Sequence, residues 1–217
     1  MRNHNAVLRV LIPAVLGVFA AADWVAVARR NRPVEYFCKP AVMVALIGAA
    51  LWLEPQSTSQ RAWFVAALVF SLAGDVFLML PPPRDRFVFG LGSFLVAHLF
   101  YVAGLAAEPG GLSWPRGLGA LQVLAVLGVV VGGPILRAAS PSNLRGPVAA
   151  YMTVISVMVA FAAASGDWVA LLGAGLFYVS DATIAWNRFV TPLAGAEVVI
   201  IVTYHLAQFA LVWSLVL

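Results

Sequence analysis

The sequence predicts an all-α, polytopic membrane protein of about eight transmembrane helices, and three observations lead there. Of its 217 residues, 63% are hydrophobic and only 10% charged, where a soluble domain carries about 45–50% apolar residues and about a quarter charged. Mean hydropathy is +0.96. The apolar residues fall into runs close to the roughly 20 residues that cross a bilayer as a helix, and charge, Pro and Gly separate the runs. Lipid can hide that much apolar surface and a soluble fold of this size cannot. Eight spans leave only short connections, so residues 1–217 read as a single transmembrane domain.

The spans are expected near 6–28, 40–53, 62–80, 87–106, 117–136, 147–164, 168–187 and 195–217. Clear breaks fall at 29–39, 54–61, 81–86, 108–116 and 137–145, with weaker ones at Gly166-Asp167 and around 187–192. The first span begins like a secretory signal, with Arg2 and Arg9 ahead of an apolar run to Ala20-Ala21-Ala22. It continues through Trp24-Val25-Ala26-Val27-Ala28 to Arg29, Arg30 and Arg32, which makes it a full span with a basic stop. The second span is expected to open at Lys39-Pro40, since proline suits the first position of a helix. That would leave the Lys39 ammonium beside free backbone N–H groups, a phosphate contact.

Charge and cysteine content exclude several classes. The net charge of +4 is carried by basic residues placed singly or in short groups at helix ends, the pattern of a membrane protein and not of a nucleic-acid binder. Cys38 is the only cysteine, which excludes an intrachain disulfide and a thiolate metal cluster. The N-terminus and even-numbered connections hold four Lys or Arg (Arg2, Arg9, Arg61, Arg116); the odd-numbered connections hold nine. The odd connections are therefore expected to be cytoplasmic and both termini external. Lys39, Arg84, Arg86, Arg145 and Arg188 would form a basic rim on the cytoplasmic side.

A weak internal repeat accompanies the spans. A shift of 106 residues carries Lys39 onto Arg145, Asp75 onto Asp181 and His98 onto Tyr204. Such a shift covers four spans and preserves direction, as in a parallel 4+4 duplication.

Polar residues inside apolar runs carry the functional signal, because an ionisable group in a span costs several kcal/mol and usually faces a cavity or a partner. Asp75 in Ser71-Leu-Ala-Gly-Asp75 and Asp181 in Phe177-Tyr-Val-Ser180-Asp181 sit at similar depth, each after a small residue that lets a neighbouring helix approach. His98 and Tyr101 share one helix face, and so do Tyr204 and Gln208. Interhelical hydrogen bonding is the bland reading of these four. His98, His205, Asp75 and Asp181 contain metal-ligand types, but without metal-binding spacing, so no metal and no cofactor is expected.

At these positions the chain resembles the YhhN family of membrane proteins, whose characterised members are lysoplasmalogenases. The motifs are Lys39-Pro40; Ser71-Leu-Ala-Gly-Asp75-Val-Phe-Leu-Met; Phe89-Gly-Leu-Gly-Ser-Phe94-Leu-Val-Ala-His98-Leu-Phe-Tyr101; Gly175-Leu-Phe-Tyr-Val-Ser180-Asp181; and Tyr204-His-Leu-Ala-Gln208. One departure is His205, where a second aromatic or a small residue is expected after the tyrosine. The resemblance implies eight helices, a lysophospholipid substrate, a bacterial plasma (inner) membrane location and an active site around Asp75 and Asp181. The implied reaction hydrolyses a vinyl ether to a fatty aldehyde and a glycerophospho head group. It needs one protonated carboxyl to protonate the β-carbon and one ionised carboxylate to activate water, a division that two carboxyls in a low-dielectric cavity can supply. Asp75 and Asp181 would be that pair; Lys39 and Arg188 would hold the phosphate. His98, Tyr101, Ser180, Tyr204 and Gln208 would line and orient the site. Three other readings remain open on the residues alone: a proton-coupled transporter, a metal-dependent lipid amide or ester hydrolase, and a non-catalytic scaffold.

Overall fold

A computed structural model describes residues 2–80 and 85–217, with side chains from 14–80 and 86–217. Arg84 and the side chains of Arg2 and Arg9, expected at basic helix ends, lie outside the described residues. Helix α1 (Arg2–Ala28) ends in a turn in which Arg30 takes a positive φ of 55°. Helix α2 (Arg32–Trp52) begins behind Asn31, whose side chain accepts from the Val34 amide, with proline in its first turn.

That start corrects the expectation at Lys39-Pro40, because Pro40 lies inside α2. The Asn31 cap and Pro33 start the helix earlier. Pro40 then leaves the carbonyl one turn before it without its amide partner, a loss that spanning helices tolerate when their neighbours cover the freed group. Lys39 is therefore not at a helix opening and has no free amides beside it.

Helix α3 (Thr58–Met79) is capped by Ser57, which accepts from the Gln60 amide at 3.2 Å. Helix α4 (Asp85–Ala106) follows. The fifth span is composite: α5 (Trp114–Leu127), a π-helical turn at Gly128–Gly132, α6 (Gly133–Ala139) and a 3₁₀ turn at Ser140–Ser142. It is longer than the expected 117–136, and the widened turn sits just before Pro134, which cannot donate to the helical ladder. Helices α7 (Arg145–Ser165), α8 (Trp168–Phe189) and α9 (Ala196–Ser214) complete the chain. The weak break between α7 and α8 is a two-residue turn. Gly166 adopts φ 82°, and the Asp167 carboxylate accepts from the Val169 and Ala170 amides at 2.7 and 3.2 Å.

Seven helical segments, with 114–142 as one, are long and apolar enough to cross a membrane, and α1 adds the apolar stretch Ala14–Ala28. Among the described residues there is no strand. The distribution of polarity fits lipid as solvent: Val129 is 76% exposed, whereas Asp23, Ser71 and Gln208 are fully buried.

Helix packing follows the shift of 106 residues. The hairpins α3–α4 and α8–α9 pack most closely; α1 lies on α2 as α5 lies on α7, and α2 on α3 as α7 on α8. The halves meet where α4 packs on α7 and where α9 packs on α1 and α2. Gly74 makes the α3–α4 approach: a Cβ there would lie 2.6 Å from the Phe94 ring. At the corresponding place in the second half, the Ser180 hydroxyl donates to the Ile200 carbonyl at 3.1 Å.

Candidate active site

Two small-residue contacts thus bring α4 against α3 and α9 against α8, one residue before each aspartate. The effect is to aim both carboxyls inward. Asp75 and Asp181 line one cavity of about 190 Å³, together with Lys39, Phe94, Ser180 and Tyr204. That is room for several waters. Arg32, Glu35 and Glu197 complete its polar wall.

The surroundings of the two carboxyls differ. The Tyr204 hydroxyl donates to Asp75 Oδ2 at 2.5 Å, and the Lys39 ammonium lies 3.8 Å from Oδ1. The latter distance is an ion pair without a direct hydrogen bond. Asp181 Oδ2 accepts from the Tyr151 hydroxyl at 2.6 Å, while His98 Nε2 lies 3.6 Å away. The other nitrogen of His98, Nδ1, is 2.6 Å from the Phe94 carbonyl one turn earlier. The His98 ring is 1% exposed and packs edge-on against Phe177 and Tyr151, with centroids 4.6 and 5.2 Å away.

Contacts between halves are exchanged. Asp75 of the first half meets Tyr204 of the second, and Asp181 of the second meets His98 of the first. Those partners are themselves related by the 106-residue shift.

The chamber has two neighbours. Leu78, Phe94, Asp181 and Ile184 also border an apolar cavity between α4, the fifth span, α7 and α8, whose further walls include Leu91, Ile135, Ile155 and Ala185. On the other side, Leu78, Ile184, Glu197 and Ile200 border a polar cavity of about 470 Å³ that also holds Arg86, Asn187 and Arg188. The Arg188 guanidinium stacks over the Phe87 ring, 3.6 Å from its centroid. Asp181 therefore stands where the apolar groove opens into the chamber.

Of the residues singled out in the sequence, Lys39, Asp75, Ser180, Asp181 and Tyr204 line the chamber, His98 faces Asp181, and Arg188 lies in the adjoining cavity. Tyr101 and Gln208 are brought to each other, with the tyrosine hydroxyl donating to the amide oxygen, and neither lines the chamber. His205 also points elsewhere. Its Nδ1 accepts from the Trp24 indole at 3.1 Å and its Nε2 lies 3.9 Å from Asp23. His98 and His205 are thus in separate clusters, and among the described residues no three His, Cys, Asp or Glu are grouped to hold a metal.

Besides Glu35 and Glu197 of the chamber wall, Asp23 and Tyr151 were missed from the sequence. Asp23 is an acid inside the first span and meets the same rule that marked Asp75. Tyr151 had no such signal, because tyrosines near helix ends are common in membrane proteins.

Comparison with known proteins identifies the family. The model of the YhhN family matches residues 34–215. Lysoplasmalogenase TMEM86B of Homo sapiens is 34% identical over 182 residues, covering 82% of this chain and 72% of that protein. A protein named lysoplasmalogenase from Mycobacterium bovis is 34% identical over 158 residues, covering 69% of this chain and 58% of its own length. Lysoplasmalogenase TMEM86A of Homo sapiens is 30% identical over 204 residues, covering 91% and 80%. No solved structure matches the chain. With its family model spanning α2 to α9 and relatives of this similarity, the chain belongs to the YhhN family.

Proposed function

We propose that this protein hydrolyses the vinyl ether bond of lysoplasmalogens, releasing a fatty aldehyde and a glycerophospho head group, with Asp75 and Asp181 as the acid–base pair. The observation that carries the reading is the single chamber lined by both carboxyls, set between an apolar groove and a charged cavity. The relatives named lysoplasmalogenase support the reaction class.

A lysoplasmalogen has matching order along its length: alkenyl chain, vinyl ether, glycerol, phosphate. Laid chain-first in the apolar groove, it puts the vinyl ether at Asp181 and the glycerol in the chamber. The phosphate then reaches Arg188. Vinyl ethers resist base and yield to acid, so a carboxyl proton must reach the β-carbon. The resulting oxocarbenium ion needs a nearby carboxylate and a water, as in glycoside hydrolysis. Ser180 and Tyr204 hold the chamber wall in place. Tyr101 and Gln208 brace α4 against α9 from behind it. We read residues 1–217 as a single transmembrane domain of a bacterial plasma membrane, and the Lys and Arg bias of its connections supports both termini being external.

Purified protein incubated with a panel of lysolipids tests the function, with fatty aldehyde read by mass spectrometry. Aldehyde from 1-alkenyl lysolipids and none from 1-acyl or 1-alkyl analogues is expected; absence of aldehyde from every member would end the reading. The phosphate contact has its own test. Arg188→Gln should raise KM about tenfold for lysoplasmalogen, the scale of one charge-assisted hydrogen bond. It should leave KM unchanged for the alkenylglycerol that lacks phosphate.

A further inference from the structure

The two aspartates occupy related places in a duplicated frame, yet the residue that meets each one differs in hydrogen-bonding sense. Asp75 meets a donor, the Tyr204 hydroxyl, and a cation, Lys39. At the shifted position Asp181 meets a histidine whose ring is oriented from behind. His98 Nδ1 lies 2.6 Å from the Phe94 carbonyl, which accepts only, so the proton of the neutral ring sits on Nδ1 and the lone pair on Nε2. That lone pair faces Asp181 Oδ2 at 3.6 Å, close enough for electrostatics and beyond a direct hydrogen bond. The Tyr151 hydroxyl is already directed to Asp181 Oδ2. A lone pair aimed at an ionised carboxylate is repelled by it, so this geometry favours a proton on Asp181. A charged alternative, imidazolium against carboxylate, would place two ions in a pocket walled by Phe94, Phe177 and Tyr151. Desolvation penalises such a pair more than a neutral acid facing a neutral ring.

We infer that Asp181 is the proton donor and Asp75 the ionised carboxylate of the pair, with His98 the positioning residue that keeps the proton on Asp181. The inference rests on the acid–base reading above and assigns its roles.

The cycle balances. The O–H proton of Asp181 moves to the β-carbon, where the alkene π electrons form the new C–H bond, and the α-carbon becomes an oxocarbenium ion. Water bonds to the α-carbon as Asp75 takes its proton, which gives a neutral hemiacetal. The bond from the α-carbon to the glycerol oxygen then breaks. Its electron pair stays on that oxygen, which receives the proton from Asp75, while the hemiacetal hydroxyl returns its proton to Asp181. Both carboxyls end as they began.

Infrared spectroscopy of the protein in detergent tests this, because an un-ionised carboxyl absorbs above the amide I band. Asp181→Asn should lose a band that Asp75→Asn keeps, and His98→Leu should move that band to higher frequency. Asp23 is another buried acid, so Asp23→Asn is recorded to identify its own absorption. Loss of the band in Asp75→Asn but not in Asp181→Asn would overturn the assignment. So would an Asp181→Asn spectrum with no band lost, the result for an imidazolium–carboxylate pair. Wild-type protein carrying carbon-13 aspartate needs no substitution, and a spectrum without any isotope-shifted carboxylic acid band would overturn it too. Aldehyde release is measured on the same preparations. Wild-type turnover in both Asp75→Asn and Asp181→Asn would remove the pair itself, whereas inactive variants with the wrong band would remove only the roles.

Discussion

Replacing either Asp75 or Asp181 by Asn is expected to lower the rate of aldehyde release by about 10²–10⁴-fold, the usual contribution of a positioned acid or base. Both substitutions keep shape: Asp181→Asn removes the carboxyl proton, and Asp75→Asn also removes the charge that faces Lys39. At position 75 the amide can still accept from Tyr204, so the α3–α9 contact survives. At position 181 the amide oxygen can still accept from Tyr151. The unfolding temperature of Asp181→Asn in detergent should therefore stay near that of the wild type, and that of Asp75→Asn should fall because Lys39 loses its counter-ion, while turnover collapses in both. The double variant should be little worse than the poorer single one, because residues that act as a unit are not additive. Wild-type turnover in both single variants would mean that the carboxyls hold helices together and do nothing to the substrate.

The second large effect concerns the alkenyl chain. Ala185 lies one turn beyond Asp181 on α8 and lines the apolar groove. Ala185→Trp should fill that groove where the chain passes. If the plug excludes about four methylenes at roughly 0.8 kcal/mol each, kcat/KM for a long-chain lysoplasmalogen falls about 10²-fold relative to a short-chain one. Competition between two chain lengths in one reaction reads the ratio directly. An equal loss for both lengths would place the chain elsewhere.

Much of this was legible in the sequence because a bilayer makes few demands and states them strongly. Apolar runs of spanning length must be helices, and the polar residues left inside them must face each other or a cavity. Asp75, Asp181, His98 and Tyr204 stood out for that reason, and the structure brings all four to the same region. The failure at Lys39-Pro40 has an equally local cause. Proline is as compatible with the interior of a packed membrane helix as with its start, and the Asn31 cap that decides between them lies eight residues upstream of Lys39. Tyr101 and Gln208 were expected to line the site, but they meet each other behind the chamber. Which helices meet is a property of packing that periodicity within one span does not carry. The groove beside Asp181 is of that kind: five separate segments build its apolar wall, and none of them looks unusual alone.

Aldehyde made by the wild-type protein in deuterated water is the measurement on which most depends. Delivery of a carboxyl proton to the β-carbon requires one solvent-derived deuterium at the carbon next to the aldehyde, in every product molecule, and mass spectrometry counts it. Aldehyde that carries no deuterium at that carbon would show that the bond breaks without carbon protonation, and the paired carboxyls would lose their proposed chemistry.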